Sequence, residues 1–369
     1  MDFRPTDEQA AAAGLAAQIF GDLATHDRLA AAGTGGDAEL WKALTTAGLI
    51  AAVEDVGLLG LVLLLEEQGR TTAQVPYAAT CVYGVLALAR HGSAEQRARL
   101  LPALGSGDAV ATGAFPDRGR ITASADGRLT GSAPAVPWLR EATHVLVPDT
   151  AGALWLVRTD APGVLTSPVE TTAPWSAGSL TLTGAQAERI GARGASADVL
   201  AVARTAFAGL QAGVCAGSLA RAVEYTCTRE QFGRPLSTNQ GVMLRAADAY
   251  MDTEAIRVTA YEAAWRVDEG LPADDHVLTA AWWASEAGKR VVHAGQHLHG
   301  GMGADLDHPV HRHFLWGRQL DAYLGCGSEL LDELGAHLSA GTPGAAGTPG
   351  APGAPGAAMS AGGAEEEQA

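Results

Sequence analysis

The 369-residue chain has few aromatic side chains and a shortage of positive charge. Only 5% of its residues are aromatic although 47% are hydrophobic, so its core must be built mainly from aliphatic and small side chains. Such a composition favours closely packed helices. Lys and Arg number 25 against 41 Asp and Glu, which gives a formal net charge of −16. A surface of that sign argues against a nucleic acid or an anionic membrane as the partner.

Cysteines are also few, and they are scattered along the chain. The four residues are Cys81, Cys215, Cys227 and Cys326. Because there is neither a CxxC pair nor a Cys/His ligand spacing, we expect no metal site. The pattern is typical of reduced thiols in a cytoplasmic protein.

Long hydrophobic runs are missing too. The opening residues are polar and acidic, so we expect no secretory signal. The most apolar run, residues 56–65, is shorter than the ~20 residues that cross a bilayer, and acidic residues flank it on both sides. We therefore expect a buried helix there, no membrane partner and cytoplasmic localisation.

Helical periodicity dominates the first part of the chain. Thr6 and the residues after it offer a helix N-cap, and Ser93 opens a capping-box pattern with Gln96. Amphipathic segments cover residues 10–20, 40–49 and 56–68. These signals predict an N-terminal helical domain over residues 1–105.

The pattern then changes to alternation. Asp126-Gly127 between alternating residues predicts one β-hairpin. A second hairpin is expected from strands at 143–148 and 153–157, and a further strand at 179–183. We predict a middle β domain over residues 106–195.

Four long helical segments follow, which indicates an antiparallel bundle over residues 196–338. They span residues 200–228, 239–268, 274–298 and 314–338. The predicted fold class is therefore α+β, with a helical domain, a β domain and a four-helix bundle in that order.

Within the remaining residues, 339–369, glycine recurs at every third position from 341 to 356, interleaved with Pro and Ala. The period resembles collagen, but so few triplets should not form a triple helix alone. We expect a disordered tail.

Two segments carry the chemistry. The first is Arg229-Glu230-Gln231-Phe232-Gly233-Arg234-Pro235-Leu236, followed by Gln240. Alone, it predicts only a helix that ends in arginine and a turn. The second is Gln296-His297-Leu298-His299-Gly300-Gly301-Met302-Gly303. It follows a helix and lacks the Gly-Lys-Ser/Thr ending, so it is neither a Rossmann fingerprint nor a P-loop.

Together and in this order, the two segments resemble the acyl-CoA dehydrogenase family over about residues 1–338. The α–β–α order agrees with that family's fold. The resemblance implies FAD as the cofactor, held across a subunit interface. It places Arg229, Phe232 and Gln240 near the pyrophosphate and ribose of a neighbouring subunit's FAD, and Gln296, His299, Gly300 and Gly301 along its adenosine diphosphate.

The catalytic base is missing at both positions that the family uses. In most members a glutamate follows a tyrosine and precedes Gly-Thr, whereas this chain reads Tyr323-Leu324-Gly325-Cys326. In others the glutamate lies on the first bundle helix, where Ala203 and Arg204 stand. We expect no catalytic residue in this chain, and we interpret the nearby Glu329 and Glu333 as solvated helix residues.

The family segments that support the flavin ring are also altered. Where the β domain begins, Thr-Glu-Pro and Gly-Ser-Asp are replaced by residues 112–119, which read Thr-Gly-Ala-Phe-Pro-Asp-Arg-Gly. The Trp-Ile-Thr/Ser segment reads Trp138-Leu139-Arg140, and Trp138 is expected to be a core residue. The histidines at 308, 311 and 313 lack a closed ligand set, so a surface or interface role is expected and no metal.

The segments that would serve this chain's own flavin are altered, whereas the segments that would serve a neighbour's flavin are intact. This asymmetry predicts a subunit that lacks its own site and completes a partner's FAD site. It is similar to actinobacterial sterol-side-chain acyl-CoA dehydrogenases, which are α2β2 assemblies with one glutamate-bearing subunit. The resemblance implies an acyl-CoA substrate, with a sterol-derived acyl group, and an electron-transfer flavoprotein as electron acceptor. Two alternatives remain: a self-sufficient homotetramer with an unorthodox base, and an acyl-CoA-binding scaffold without flavin.

Overall fold

The computed structural model describes residues 3–116 and 120–341. Helices, then strands, then helices follow one another along the chain, which confirms the α+β fold expected from the sequence. Residues 117–119 and most of the predicted tail, residues 342–369, lie outside the described residues.

The N-terminal part is built from seven α-helices. They are α1 (Asp7–Leu23), α2 (His26–Ala32), α3 (Ala38–Thr46), α4 (Val53–Thr71), α5 (Tyr77–Ala79), α6 (Ala87–His91) and α7 (Ala94–Gly105). Capping boxes begin α1 at Thr6 and α7 at Ser93, as the sequence predicts. Residues 80–86, between α5 and α6, form a fully buried π-helix that the sequence pattern did not reveal.

Helix α4 is the core helix of this part and contains the apolar run. It is kinked at Gly57, where φ is +71°. The backbone N–H groups of Leu58 and Leu59 beyond the kink both donate to the carboxylate of Asp268, each at 2.9 Å. Because Asp268 ends a bundle helix, this contact ties the N-terminal helices to the C-terminal bundle.

The described residues of the middle part form two four-stranded sheets. Their strands are β1 (Ala111–Gly113), β2 (Ile121–Ala123), β3 (Arg128–Val136), β4 (His144–Pro148), β5 (Leu154–Arg158), β6 (Val164–Pro168), β7 (Gly178–Gln186) and β8 (Glu188–Ile190). One sheet has the order β1-β4-β5-β8 and the other β2-β3-β7-β6. Both predicted hairpins, β2-β3 and β4-β5, are present and antiparallel.

The C-terminal part is a bundle of long helices. They are α8 (Ala195–Thr228), α9 (Gln240–Asp268), α10 (Asp274–Leu298), α11 (Val310–Tyr323) and α12 (Gly327–Gly341). A two-residue hairpin, β9 (Glu230–Gln231) and β10 (Arg234–Pro235), joins α8 to α9. By length and composition α8 could cross a membrane, but 83% of its most apolar window is buried, so it is a core helix.

The prediction of one helix over residues 314–338 is wrong. The chain leaves the helix at Leu324, and Gly325 has φ of +123°, which a right-handed helix cannot accommodate. A new helix, α12, begins at Gly327, where the Glu329 carboxylate accepts from the backbone N–H of Cys326 at 3.2 Å.

Candidate functional site

The two sequence motifs meet at one end of the bundle. Helix α8 ends at Thr228 and α10 ends at Leu298, and the ring of Tyr225 stacks on that of His299 at 4.9 Å between centroids. His299 is only 3% exposed, and its Nδ1 donates to the carbonyl oxygen of Gly295 at 2.7 Å. It therefore joins the two helix ends.

The first motif forms the hairpin that protrudes from this end. Phe232 and Gly233 have φ of +54° and +76°, as a two-residue turn of type I′ requires. The Phe232 side chain is fully exposed. An aromatic residue in a left-handed conformation with no packing partner costs stability in the isolated chain.

Charge at this hairpin is positive although the whole chain is acidic. Arg229 is the C-cap of α8, and its carbonyl accepts from the backbone N–H of Leu236 at 2.8 Å. The guanidinium groups of Arg229 and Arg234 make no ion pair with any described residue. Gln240, the first residue of α9, is exposed beside them. Free guanidiniums of this kind match phosphate oxygens.

The second motif presents open backbone. After α10, residues Gly300–Ala304 form a 3₁₀ turn in which Gly300 has φ of +62°. A Cβ placed on Gly300 or Gly301 would meet no heavy atom within 4 Å. Gln296 braces the turn from within, because its Nε2 donates to the carbonyl oxygen of Gly303 at 3.1 Å. The glycines leave space for another molecule to approach the main chain.

The two positions that the resemblance assigns to a base also lie together. Leu324 and Ala203 are both buried. The guanidinium of Arg204 donates from Nε to the carbonyl oxygen of Leu324 at 3.3 Å and from both Nη atoms to the carboxylate of Glu333 at 2.8 and 2.7 Å. Glu333 is exposed on α12, as expected of a solvated helix residue, and its carboxylate also pairs with Arg204.

The altered segment at Trp138 faces the core. Trp138 is buried, as expected, and has φ of +59°. Arg140 turns away from the interior, since its Nη2 donates to the carbonyl oxygen of Thr34 at 2.5 Å. The hydroxyl that the family segment offers has no counterpart in these residues.

Comparisons with known proteins decide the family. The models for the N-terminal and C-terminal domains of acyl-CoA dehydrogenases match residues 6–108 and 191–338. Acyl-CoA dehydrogenase FadE27 of Mycobacterium tuberculosis is 38% identical over 82% of this chain and 88% of its own length. The chain belongs to the acyl-CoA dehydrogenase family.

Acyl-CoA dehydrogenases of heteromeric complexes are among the similar proteins. FadE28 of M. tuberculosis is 32% identical over 92% of this chain and 99% of its own length. The solved ChsE4-ChsE5 complex from M. tuberculosis matches with a TM-score of 0.88 and 36% identity over 93% of this chain and 100% of that chain. A variant of the Tcur3481-Tcur3483 steroid acyl-CoA dehydrogenase matches with a TM-score of 0.86 and 42% identity over 91% and 98%.

Membership of this acyl-CoA dehydrogenase family makes the chain part of an oxidoreductase that acts on CH–CH groups, with FAD as the cofactor. Family membership thus confirms two expectations from the sequence, the oxidoreductase class and FAD as the cofactor. Among the described residues, no group of three or more His, Cys, Asp or Glu side chains is arranged to hold a metal.

Sequence reasoning missed a buried pair of hydroxyl groups. Tyr83, on the π-helix, and Tyr323, beside Leu324, lie with their Oη atoms 2.8 Å apart. Burial raises the pKa of both phenols, so both stay protonated. No local signal could have revealed a contact between residues so far apart in sequence.

Proposed function

We propose that this acyl-CoA dehydrogenase chain is the subunit without a catalytic base and that it completes the FAD site of a homologous, glutamate-bearing partner. The observation that carries the proposal is the exposed hairpin. Phe232 is fully exposed, and the guanidinium groups of Arg229 and Arg234 form no ion pair with a described residue. The hairpin lies at the same end of the bundle as the open backbone at Gly300. These groups fit a bound dinucleotide that another subunit supplies.

Each residue at this end has a role in holding the partner's FAD. Arg229 binds the pyrophosphate, and Phe232 and Gln240 lie beside it. Gly300 and Gly301 let the adenosine diphosphate approach the main chain, with Gln296 as the brace of their turn. His299 is buried, so it supports these glycines from behind and does not face solvent.

The remainder of the reaction belongs to the complex. FAD held by Arg229, Gly300 and Gly301 would supply the acceptor for the β-hydride of an acyl-CoA thioester, while a glutamate of the partner would take the α proton. Leu324 and Ala203 cannot accept a proton, which agrees with a division of labour between unlike subunits. Electrons leave to an electron-transfer flavoprotein, and the complex works in the cytoplasm.

A sterol-derived acyl group is the proposed substrate. The steroid acyl-CoA dehydrogenase among the solved relatives is a heteromer by its name and is 42% identical to this chain. The α2β2 arrangement is proposed on the same basis.

The test compares the chain purified alone with the chain co-expressed with a homologous glutamate-bearing subunit. We expect little flavin in the isolated chain and one FAD per unlike pair in the complex. One FAD per chain in the isolated protein would favour a self-sufficient homotetramer, and a flavin-free complex would favour a scaffold.

Two substitutions test the residues at the bundle end. Arg229→Ala should lower the FAD affinity of the complex by about tenfold or more, since a hydrogen bond to a charged group contributes about 1.5–3 kcal/mol. Gln296→Ala should also release FAD, because the glycine turn loses its brace. The matched control is Arg158→Ala, which removes an exposed arginine that pairs with Asp160 in the β domain. Full flavin occupancy in both variants would contradict the assignment.

A further inference from the structure

A group of basic side chains lies between the start of α2, the last turns of α8 and the segment that joins α10 to α11. We call it the basic cluster; it consists of His26, Arg221, His299 and His308. The ring of His299 lies 4.9 Å from that of His308 between centroids. It also stacks on Tyr225, which is one turn beyond Arg221 on α8. In a chain with 41 Asp and Glu against 25 Lys and Arg, composition alone does not predict such a local excess of basic groups.

Arg221 has a charge without a bonded partner. Its guanidinium makes no hydrogen bond or ion pair with a described residue. Burial lowers the pKa of Arg221, and the carboxylate of Glu224 on the same helix offsets this only in part. A charge that is partly removed from water without a hydrogen-bond partner costs free energy. The N–H donors of Arg221 are therefore available to a ligand.

His308 offers a second donor, and the main chain sets its tautomer. The backbone N–H of Val310 donates to Nδ1 of His308 at 3.3 Å. Because Nδ1 accepts, the neutral imidazole carries its proton on Nε2. This N–H has no acceptor among the described residues.

His26 carries an orphan nitrogen. It is the first residue of α2, and its Nδ1 is buried without a hydrogen-bond partner among the described residues. A buried polar atom that stays unpaired costs free energy. The ring lies close enough for its positive charge to lower the pKa of His308. His26 thus indicates, independently of Arg221, that the cluster accommodates a polar ligand.

The cluster fits an anion better than a cation. Among the described residues, no three His, Cys, Asp or Glu side chains are arranged to hold a metal, and Arg221 would repel one. Burial lowers the pKa of His308 and its basic neighbours in the cluster lower it further, while Asp305 acts in the opposite direction. A bound dianion would relieve the repulsion among these groups. Guanidinium and imidazole N–H groups are suitable donors to phosphate oxygens.

We propose that the basic cluster is a binding site for a phosphoryl group, held by the guanidinium of Arg221 and the Nε2–H of His308. The site goes beyond the proposed function, because it requires neither the hairpin nor a partner subunit. His299 belongs to the cluster and directly precedes Gly300. The phosphoryl group therefore comes either from the partner's dinucleotide or from a separate phosphorylated small molecule.

Sulfate is the probe, because it stays a dianion over the pH range in which an imidazole titrates. The full-length chain with isotope-labelled histidine is titrated with sodium sulfate at constant ionic strength, and NMR follows the imidazole signals. We expect saturable binding that raises the pKa of His308. Arg221→Ala should weaken this binding by about tenfold or more. His308→Phe should weaken it similarly, because it keeps a ring against His299 but removes the donor.

The matched control is Arg193→Ala, which removes an exposed arginine at the opposite end of α8 and should bind sulfate as the wild type does. The absence of saturable binding to the wild type would overturn the proposal, as would unchanged affinity in both cluster variants. Neither result bears on the flavin stoichiometry of the complex, so the proposed function would stand or fall separately.

The flavin-loaded complex distinguishes the two sources. If the dinucleotide supplies the phosphoryl group, FAD should displace sulfate from the cluster, and Arg221→Ala should also lower the affinity for FAD. If a separate small molecule supplies it, sulfate should bind the flavin-loaded complex as it binds the isolated chain. Both outcomes require the site at Arg221 and His308.

Discussion

His313 shows how burial sets the charge of a single residue. Its side chain is buried, and its Nε2 donates to the carbonyl oxygen of Arg70 at 2.9 Å. Burial lowers the pKa of this imidazole from 6.5 to about 4. The folded state therefore holds His313 neutral, whereas the unfolded chain takes up a proton as soon as the pH falls below about 6.5.

Acid should accordingly destabilise the protein through His313. Above pH 6.5 the imidazole is neutral in both the folded and the unfolded state, so it does not affect stability. Between pH 6.5 and about 4 the free energy of unfolding falls as the pH is lowered. The total loss is up to about 3 kcal/mol, because each pKa unit corresponds to about 1.36 kcal/mol. His313→Gln should reduce the slope of the unfolding free energy against pH in that window, by an amount that corresponds to the uptake of up to one proton on unfolding. Urea titrations at several pH values measure this slope. His337→Gln, on the exposed side of α12, is the control. An unchanged slope in His313→Gln would show that the imidazole is protonated in the folded state.

At the scale of elements, the contact between α4 and α8 depends on glycine. Gly209, Gly213 and Gly217 recur every fourth residue on α8, so they lie on one face. A Cβ on Gly213 would overlap the carbonyl oxygen of Glu66, and one on Gly217 the carbonyl oxygen of Arg70. The backbones of the two helices are in contact, as the Ala- and Gly-rich composition predicts.

Gly213→Ala should therefore destabilise the fold by about 1–3 kcal/mol, the usual cost of overpacking. The matched control is Gly14→Ala on α1, where a Cβ meets no heavy atom within 4 Å. That variant should gain about 0.5–1 kcal/mol from helix propensity. Chemical unfolding of both variants measures the difference. Equal effects would mean that α4 can withdraw from α8.

Elements with local signals could be predicted from the sequence, and contacts between distant segments could not. Helix α10 was predicted at its observed bounds, and the hairpin at Asp126-Gly127 was expected from its turn residues. The break at Gly325 has only an ambiguous sequence signal, because a glycine commonly ends a helix but a single glycine is also tolerated inside one. The pairing of Arg204 with Glu333 and of Tyr83 with Tyr323 depends on the tertiary fold, so neither has a sequence signature.

At the scale of the whole molecule, one helix leaves a large apolar face without a partner. Met243, Leu244, Tyr250 and Met251 on α9 are each more than half exposed. Their spacing places them on one side of the helix. This face begins beside the hairpin that carries Phe232, so one surface can serve both for association and for a shared cofactor. We expect the glutamate-bearing subunit to cover it.

Met251→Asp tests this expectation. In the isolated chain the new carboxylate stays in water, so circular dichroism and the melting temperature should not change. In the complex it would be buried without a counterion, at a cost of several kcal/mol, so the pair should dissociate in size-exclusion chromatography with light scattering. The flavin should be lost together with assembly, because in the proposed complex both subunits contribute to the FAD site. Leu165→Asp, at a 64% exposed residue of β6, is the control and should assemble as the wild type does. Normal assembly of Met251→Asp would exclude α9 from the interface, whereas dissociation with full flavin retention by the partner would separate association from cofactor binding.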